Sequence, residues 1–189
     1  MKIGIAGGIG SGKSFVCQRI ESLGFKVYDC DQAAKRLIQT SADIRTRLTS
    51  LIGPATYFDD GTLNKPEVAR FLLASAQNAH AVDAIVHPAV FRDFLESGLQ
   101  WMESALMFES GIYRYVDKVI AVIAPKEVRI QRVMQRDGIS REKTLQWMQR
   151  QWPQAELLRR ADYEIVNDGH ADLNSQIEKL LSTQCRITK

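Results

Sequence analysis

Apolar positions along this chain change their spacing several times, and each change predicts an element. Lys2 to Ala6 is a short apolar run that ends in glycines, which predicts a strand feeding a loop. From Lys13 to Leu23 the residues Val16, Ile20 and Leu23 fall on one face, and Gly24 supplies a stop, so this stretch predicts a helix. Lys26 to Tyr28 resumes extended chain. Strand, glycine loop, helix and strand make a βαβ opening.

The middle of the chain has a different rhythm. Asp31 to about Gly98 shows helical periodicity and little strand signal. Asn64 and Glu67 form a capping-box pair, with Pro66 in the first turn of a helix carrying Val68, Phe71 and Leu72. Pro88 is expected to open another helix with Val90, Phe91, Phe94 and Leu95. Strand signal returns from Trp101 to Phe108 and, more strongly, from Lys118 to Ala124. Pro125 starts a helix running to about Arg136, Asp137-Gly138 breaks it, and Ser140 caps the next. Tyr163 to Val166 is a last strand, and Asp172 to about Leu181 a terminal helix. The pattern is an α/β core with a helical insertion, without repeats or a low-complexity linker.

Composition narrows the class. With 45% hydrophobic and 25% charged residues, the 189-residue chain reads as a globular protein, not as disordered, collagenous or coiled coil. The apolar run Val119 to Ala124 is too short to span a bilayer. The start MKIGIAGG carries no signal-peptide apolar region, so a cytosolic protein is expected, with no membrane partner. Cys17, Cys30 and Cys185 are odd in number and lack CxxC spacing, which predicts small reduced thiols and no zinc site. His80, His87 and His170 are too scattered for a metal cluster. Trp101, Trp147 and Trp152 are expected in core or lid packing, and no interleaved basic and aromatic surface suggests nucleic acid.

The net charge of +3 is unevenly spread. Lys126 to Arg160 holds nine basic and four acidic residues, a local +5, and leaves −2 for the rest of the chain. That field suits an anionic partner, or a solvated helix face.

The chemistry is carried by Gly7-Gly8-Ile9-Gly10-Ser11-Gly12-Lys13-Ser14, which fits G-x-x-x-x-G-K-[ST]. Glycines let successive backbone N–H groups turn into one concavity, and the following helix adds its amino-terminal donors and dipole. Lys13 is expected on the β and γ phosphates, at a solvent-facing helix start, with the Ser14 hydroxyl as a ligand of Mg²⁺. No G-x-G-x-x-G register exists here for a dinucleotide fingerprint. Asn64-Lys65-Pro66-Glu67 resembles a guanine-reading N-K-x-D, but it ends in Glu and lies in the helical insertion. The size, the insertion and the basic late segment favour a small-molecule kinase over a GTPase switch or a motor ATPase.

Two further groups accompany the loop. Asp29 and Asp31, two apart on extended chain after the second strand, point to one side at the carboxyl end of a sheet, where ligands bind. Either supplies a general base, or Asp31 caps the helix Gln32 to Ile38. Arg129, Arg132 and Arg136 share one helix face opposite Ile130, Val133 and Met134, and suit phosphate or an adenine ring under a mobile lid. For Arg129 a solvated position is equally open.

The sequence resembles the dephospho-CoA kinase family. The resemblance runs through GGIGSGKS, Tyr28-Asp29-Cys30-Asp31 with Ala34, and Asp60-Gly61-Thr62-Leu63. It continues through His87-Pro88, Leu106-Met107-Phe108-Glu109, Arg132 to Asp137 and Asn167-Asp168-Gly169, in the family's order. It implies a P-loop fold with a five-stranded parallel sheet, divided into a nucleotide-binding core (1–30, 99–137 and 162–189), a helical substrate domain (31–98) and a lid (138–161). It implies transfer of the γ-phosphate of ATP, with Mg²⁺, to the ribose 3′-hydroxyl of dephospho-CoA. The implied catalytic residues are Asp31, Lys13 and Arg136. Gly8, Ile9, Gly10, Ser11, Gly12, Lys13, Ser14, Phe15, Arg132, Asn167 and Gly169 would bind ATP, with Arg132 at the adenine. Asp31, Lys35, Lys65 and His87 would bind the substrate. Three positions depart from the family: Phe15 for a frequent Thr, Lys35 for a usual Arg, and Ala105 for a usual Pro.

Overall fold

The computed structural model describes residues 1–183. The chain forms two compact units, one of residues 1–29 with 99 onward, the other of residues 30–98.

The first unit is built on a five-stranded parallel sheet. Its strands are β1 (Ile3–Ala6), β2 (Val27–Asp29), β3 (Trp101–Glu103), β4 (Lys118–Ile123) and β5 (Tyr163–Val166). Their spatial order is β2-β3-β1-β4-β5, every pair parallel. This matches the expected α/β class. The interior of β1 and β4 is apolar on both faces, as a sheet covered on both sides requires. Ile3, Ile5, Ile120, Val122 and Ile165 pack with Val16 and Ile20 from α1 (Lys13–Ser22) and with Trp101. Trp101 therefore belongs to the core, as expected.

β3 is shorter than the Trp101 to Phe108 stretch predicted. It ends at Glu103 because the chain folds into a turn: the Ser104 hydroxyl accepts from the Leu106 amide at 3.2 Å, and the Ser110 amide donates to Leu106 at 2.9 Å. The apolar residues beyond it, Met107 and Phe108, are buried from that turn, which is why the pattern imitated a strand.

The second unit is helical: α2 (Cys30–Thr40), α3 (Ala42–Ile52), α4 (Lys65–Ala74) and α5 (Ala76–Ser97). α5 packs against the other three. Pro88 does not open a helix; it lies inside the 22-residue α5, which starts at the Ser75 cap, where the Ser75 hydroxyl accepts from the Asn78 amide at 3.1 Å. A proline in a helix interior costs roughly 3 kcal/mol. The buried stripe Val82, Ile85, Val86, Val90 and Phe94 crosses Pro88 without a break and outweighs that cost. The Asn64 cap is half of a capping box: its side chain accepts from the Glu67 amide at 3.4 Å, but the Asn64 amide donates to Thr56 O and the Glu67 carboxylate turns to Arg70.

The rest of the first unit comprises α6 (Lys126–Asp137), α7 (Arg141–Met148), α8 (Gln154–Arg160) and α9 (Leu173–Thr183). Gly138 closes α6 and Ser140 caps α7, both as expected. Cys17 and Cys30 are buried free thiols, and Cys185 lies outside the described residues. No described helix is long and apolar enough to cross a membrane.

The core of the helical unit sets its stability. Phe94 is fully buried, whereas its neighbour Leu95 is 44% exposed. Phe94→Ala should cost about 3–5 kcal/mol, and Leu95→Ala about 0.5 kcal/mol or less. Denaturant unfolding of the two variants checks this; equal losses would mean that α5 does not present the Phe94 face to the core.

Candidate active site

The glycine loop leaves β1 at Ala6 and enters α1 at Lys13. Two of its carbonyls are held locally: Gly8 O accepts from the Ser11 amide at 3.0 Å, and Gly12 O from the Phe15 and Val16 amides of α1. Two more are held from distant elements. Ile9 O accepts from Arg129 Nε at 2.9 Å. Ser11 O accepts from Asn167 Nδ2 at 3.0 Å and from Arg132 Nη1 at 3.4 Å. With the carbonyls turned outward, the amides of Gly10 and Gly12 are left without acceptors among the described residues, as are those of Lys13 and Ser14 in the first turn of α1. A loop of free amides followed by a helix amino terminus is an anion cradle.

Gly12 closes the cradle as the residue before α1, in the left-handed region with φ +88°. A Cβ there would also run into the Asn167 carboxamide. Only glycine meets both conditions.

Lys13 is not solvent-facing, contrary to the expectation. It is 8% exposed, and its Nζ lies 3.7 Å from Glu103 Oε1. Glu103 ends β3, in register with Ile5 of β1 and Asp29 of β2, so the parallel pairing brings its carboxylate beside the loop's lysine. The sequence reading missed Glu103 because it carried the strand on to Phe108 and so put its functional end in the wrong place. Cys17, in the same surroundings, has its thiol pKa pushed far up, first by burial and then by Glu103. It is no nucleophile. Ser14 and Phe15 are exposed, and Arg19 lies over the Phe15 ring at 5.1 Å.

The three arginines of α6 occupy three different settings. Arg129 is buried, not solvated, and its guanidinium lies against Gly8. Arg132 reaches the back of the loop and the 167 turn, donating from Nη1 to Asn167 O at 2.9 Å and from Nη2 to Asn167 Oδ1 at 3.3 Å. Arg136 is exposed and forms a two-bond pair with Asp137 at 2.8 and 2.7 Å, which holds the Asp137 carboxyl below its ordinary range. Elsewhere in the basic segment, Arg141 pairs with Glu127, and Arg159 and Arg160 with Glu156, whose carboxyl is thereby lowered to about 2.

Asn167, buried after β5, turns its carboxamide to Ser11, and Asp168 closes the turn by accepting from the His170 and Ala171 amides at 2.8 Å. Gly169 is exposed at φ +93°. Gln151, another residue without a sequence signal, accepts from the Ile9 amide through Oε1 at 2.7 Å and donates to Ala105 O at 3.4 Å. Trp152 stacks on Phe108 at 5.9 Å, and its amide donates to Glu109 at 3.0 Å.

In the helical unit, Asp31 is exposed in the first turn of α2, which begins at Cys30. It is therefore not on extended chain with Asp29, which ends β2. Nor does it cap the helix: its carboxylate makes no hydrogen bond or ion pair among the described residues. Lys35 is exposed one turn further along α2, and Lys65 is exposed at the start of α4. His87 lies in mid-α5, 3.5 Å from Asp83 and stacked with Phe91.

The cradle makes a prediction. Gly12→Ala puts an L residue into the left-handed region, which costs about 1–2 kcal/mol, and also pushes Asn167 from Ser11 O. ATP binding measured by calorimetry should fall at least about tenfold, while circular dichroism shows a folded chain. Wild-type affinity in the variant would mean that the loop does not hold phosphate.

Comparison with known proteins agrees with this geometry. A family model for dephospho-CoA kinase matches residues 1–172. The dephospho-CoA kinase of Bacteroides fragilis is 39% identical over 193 residues, covering 96% of this chain and 92% of the relative. The solved structure titled TT1252 from Thermus thermophilus superposes with a TM-score of 0.85 at 32% identity, covering 100% of this chain and 98% of that one. A dephospho-CoA kinase from Campylobacter jejuni shares the fold, with a TM-score of 0.70 at 24% identity and 98% coverage of both chains.

Proposed function

The chain belongs to the dephospho-CoA kinase family, and from that premise we propose that it transfers the γ-phosphate of ATP to the ribose 3′-hydroxyl of dephospho-CoA, giving CoA and ADP as the last step of coenzyme A synthesis. The observation that carries the reading is the cradle of free amides at Gly10, Gly12, Lys13 and Ser14, with Lys13 at its floor. Such a cradle binds a polyphosphate, and the family supplies the acceptor.

In this reading the loop amides and Lys13 hold the β and γ phosphates. The donor set at the loop suits Mg²⁺: one exposed hydroxyl, Ser14, and no cluster of three or more carboxylate, His or Cys groups among the described residues. A Mg²⁺ held by that hydroxyl, phosphate oxygens and water needs no protein cage, and when bound it offsets charge on the phosphates. The helical unit takes the acceptor, through Lys35, Lys65 and His87, and residues 138–161 act as a lid over the nucleotide. Asp31 accepts the 3′-hydroxyl proton as the bond from O3′ to the γ-phosphorus forms and the bond from that phosphorus to the β,γ-bridging oxygen breaks. Arg136 leaves Asp137, an exposed pair that is cheap to break, to meet charge on the transferring group. Arg132, Asn167 and Gly169 border the nucleotide, and Phe15, whose amide donates to Gly12 O, lies beside the cradle. The enzyme works in the cytoplasm.

ADP release coupled to a dye, run across acceptors, tests the function. Turnover with dephospho-CoA should stand well above that with AMP, adenosine or shikimate. Equal or faster turnover of AMP would replace the reading with a nucleoside monophosphate kinase. Slow hydrolysis indifferent to every acceptor would make the chain a nucleotide switch.

Asp31 carries its own test. A general base contributes about a hundredfold to ten-thousandfold in rate. Asp31→Asn keeps the shape and loses the proton acceptor, so kcat should fall at least about a hundredfold with the melting temperature unchanged. A variant within a few fold of wild type would move the base to Asp29.

A further inference from the structure

Arg129 is a buried cation with no assigned task. Its residue is 7% exposed, and it forms no ion pair among the described residues. The one hydrogen bond of its side chain among the described residues runs from Nε to Ile9 O at 2.9 Å. Burial lowers its pKa, and no carboxylate acts in the other direction. A buried charge without a partner is costly, and proteins keep one where something else supplies the opposite charge.

The position of the guanidinium says what that is. It packs on Gly8, where a Cβ would meet Nη2 unless the guanidinium shifted. Ile9 O and the Gly10 N–H belong to one planar peptide group. A cation donating to that carbonyl turns the Gly10 amide into the cradle and polarises it as a donor. The neighbouring Ser11–Gly12 peptide is treated in the same way, its carbonyl held by Asn167 and Arg132. Donors behind the loop thus hold both outward carbonyls.

We propose that Arg129 is a positioning residue for nucleotide phosphate: it holds the Ile9–Gly10 peptide with its amide facing inward, and its unpaired charge complements the phosphates that this amide receives. This rests on the reading of the loop as an ATP site and deepens it. Arg129 also walls a cleft of about 510 Å³ with Lys126 and Trp152, and an anion held there instead is the rival outcome of the test.

The test compares Arg129→Lys and Arg129→Gln with wild type in the full chain, by calorimetry with ATP and by thermal melting without nucleotide. Gln can still donate to Ile9 O but brings no charge; Lys keeps the charge. We expect Arg129→Gln to weaken ATP binding about tenfold or more and Arg129→Lys by about threefold or less, with melting temperatures within a few degrees. Gly8→Ala should weaken ATP binding less in the Gln background than in wild type, because the collision is with the guanidinium. ATP affinity unchanged in Arg129→Gln overturns the proposal, whether the charge then serves only the scaffold or an anion in the cleft, which titration with inorganic phosphate would separate. ATP affinity is read without an acceptor, so wild-type chain that binds ATP and ignores dephospho-CoA would sink the kinase reading and leave this one standing.

Discussion

The orientation of two peptide groups, Ile9–Gly10 and Ser11–Gly12, is the constraint on which the site depends. Their amides face inward only because their carbonyls face outward, and each buried outward carbonyl needs a donor or costs about 1–3 kcal/mol. The donors come from Arg129 and Arg132 on α6 and from Asn167 after β5, all more than 110 residues away in sequence. The sheet order makes this possible. β4 lies beside β1 and β5 beside β4, so the helix after β4 and the turn after β5 both emerge next to the loop that leaves β1. A parallel sheet puts all those exits at one edge, which is where ligands of such folds collect.

How much of this the sequence reveals follows from what a pattern can encode. Strand β5 and the caps at Gly138 and Ser140 were legible, because local chemistry decides them. β3 and α5 were not, because a turn buried like a strand and a proline outvoted by its packing are decided by tertiary contacts. The arginines show the limit most sharply. On α6, Arg129 and Arg136 lie within about 20° of one another around the axis but about 10 Å apart along it. Periodicity reports the angle and not which turn of the helix passes behind the loop. One end is buried against Gly8 and the other is in solvent with Asp137.

Part of the family signature proves to be scaffolding. Asp60-Gly61-Thr62-Leu63 is a tight turn in which Asp60 Oδ1 accepts from the Thr62 amide and hydroxyl at 2.8 and 2.7 Å. Gln39 and Arg45 both donate to Gly61 O, tying that turn to α2 and to α3, and Arg45 also covers the Tyr57 ring at 4.9 Å. The motif thus forms a turn that links α2 to α3 within the helical unit. Asp31 is the reverse case: an exposed carboxylate that makes no hydrogen bond or ion pair among the described residues.

The charges of the loop complete the argument. Lys13, the cation the motif advertises, is balanced by Glu103 in largely buried surroundings. A phosphate entering the cradle therefore meets a lysine already shared with a carboxylate, and by itself that pair contributes little net attraction. What remains uncompensated close to the loop is Arg129 and Arg132, neither of which has a carboxylate partner among the described residues. Positive charge at the loop therefore sits behind its carbonyls as well as at its lysine. The local +5 of the Lys126 to Arg160 segment is spread over different settings: Arg136, Arg141, Arg159 and Arg160 pair with neighbouring acids, while Arg129 and Arg132 turn toward carbonyls of the loop.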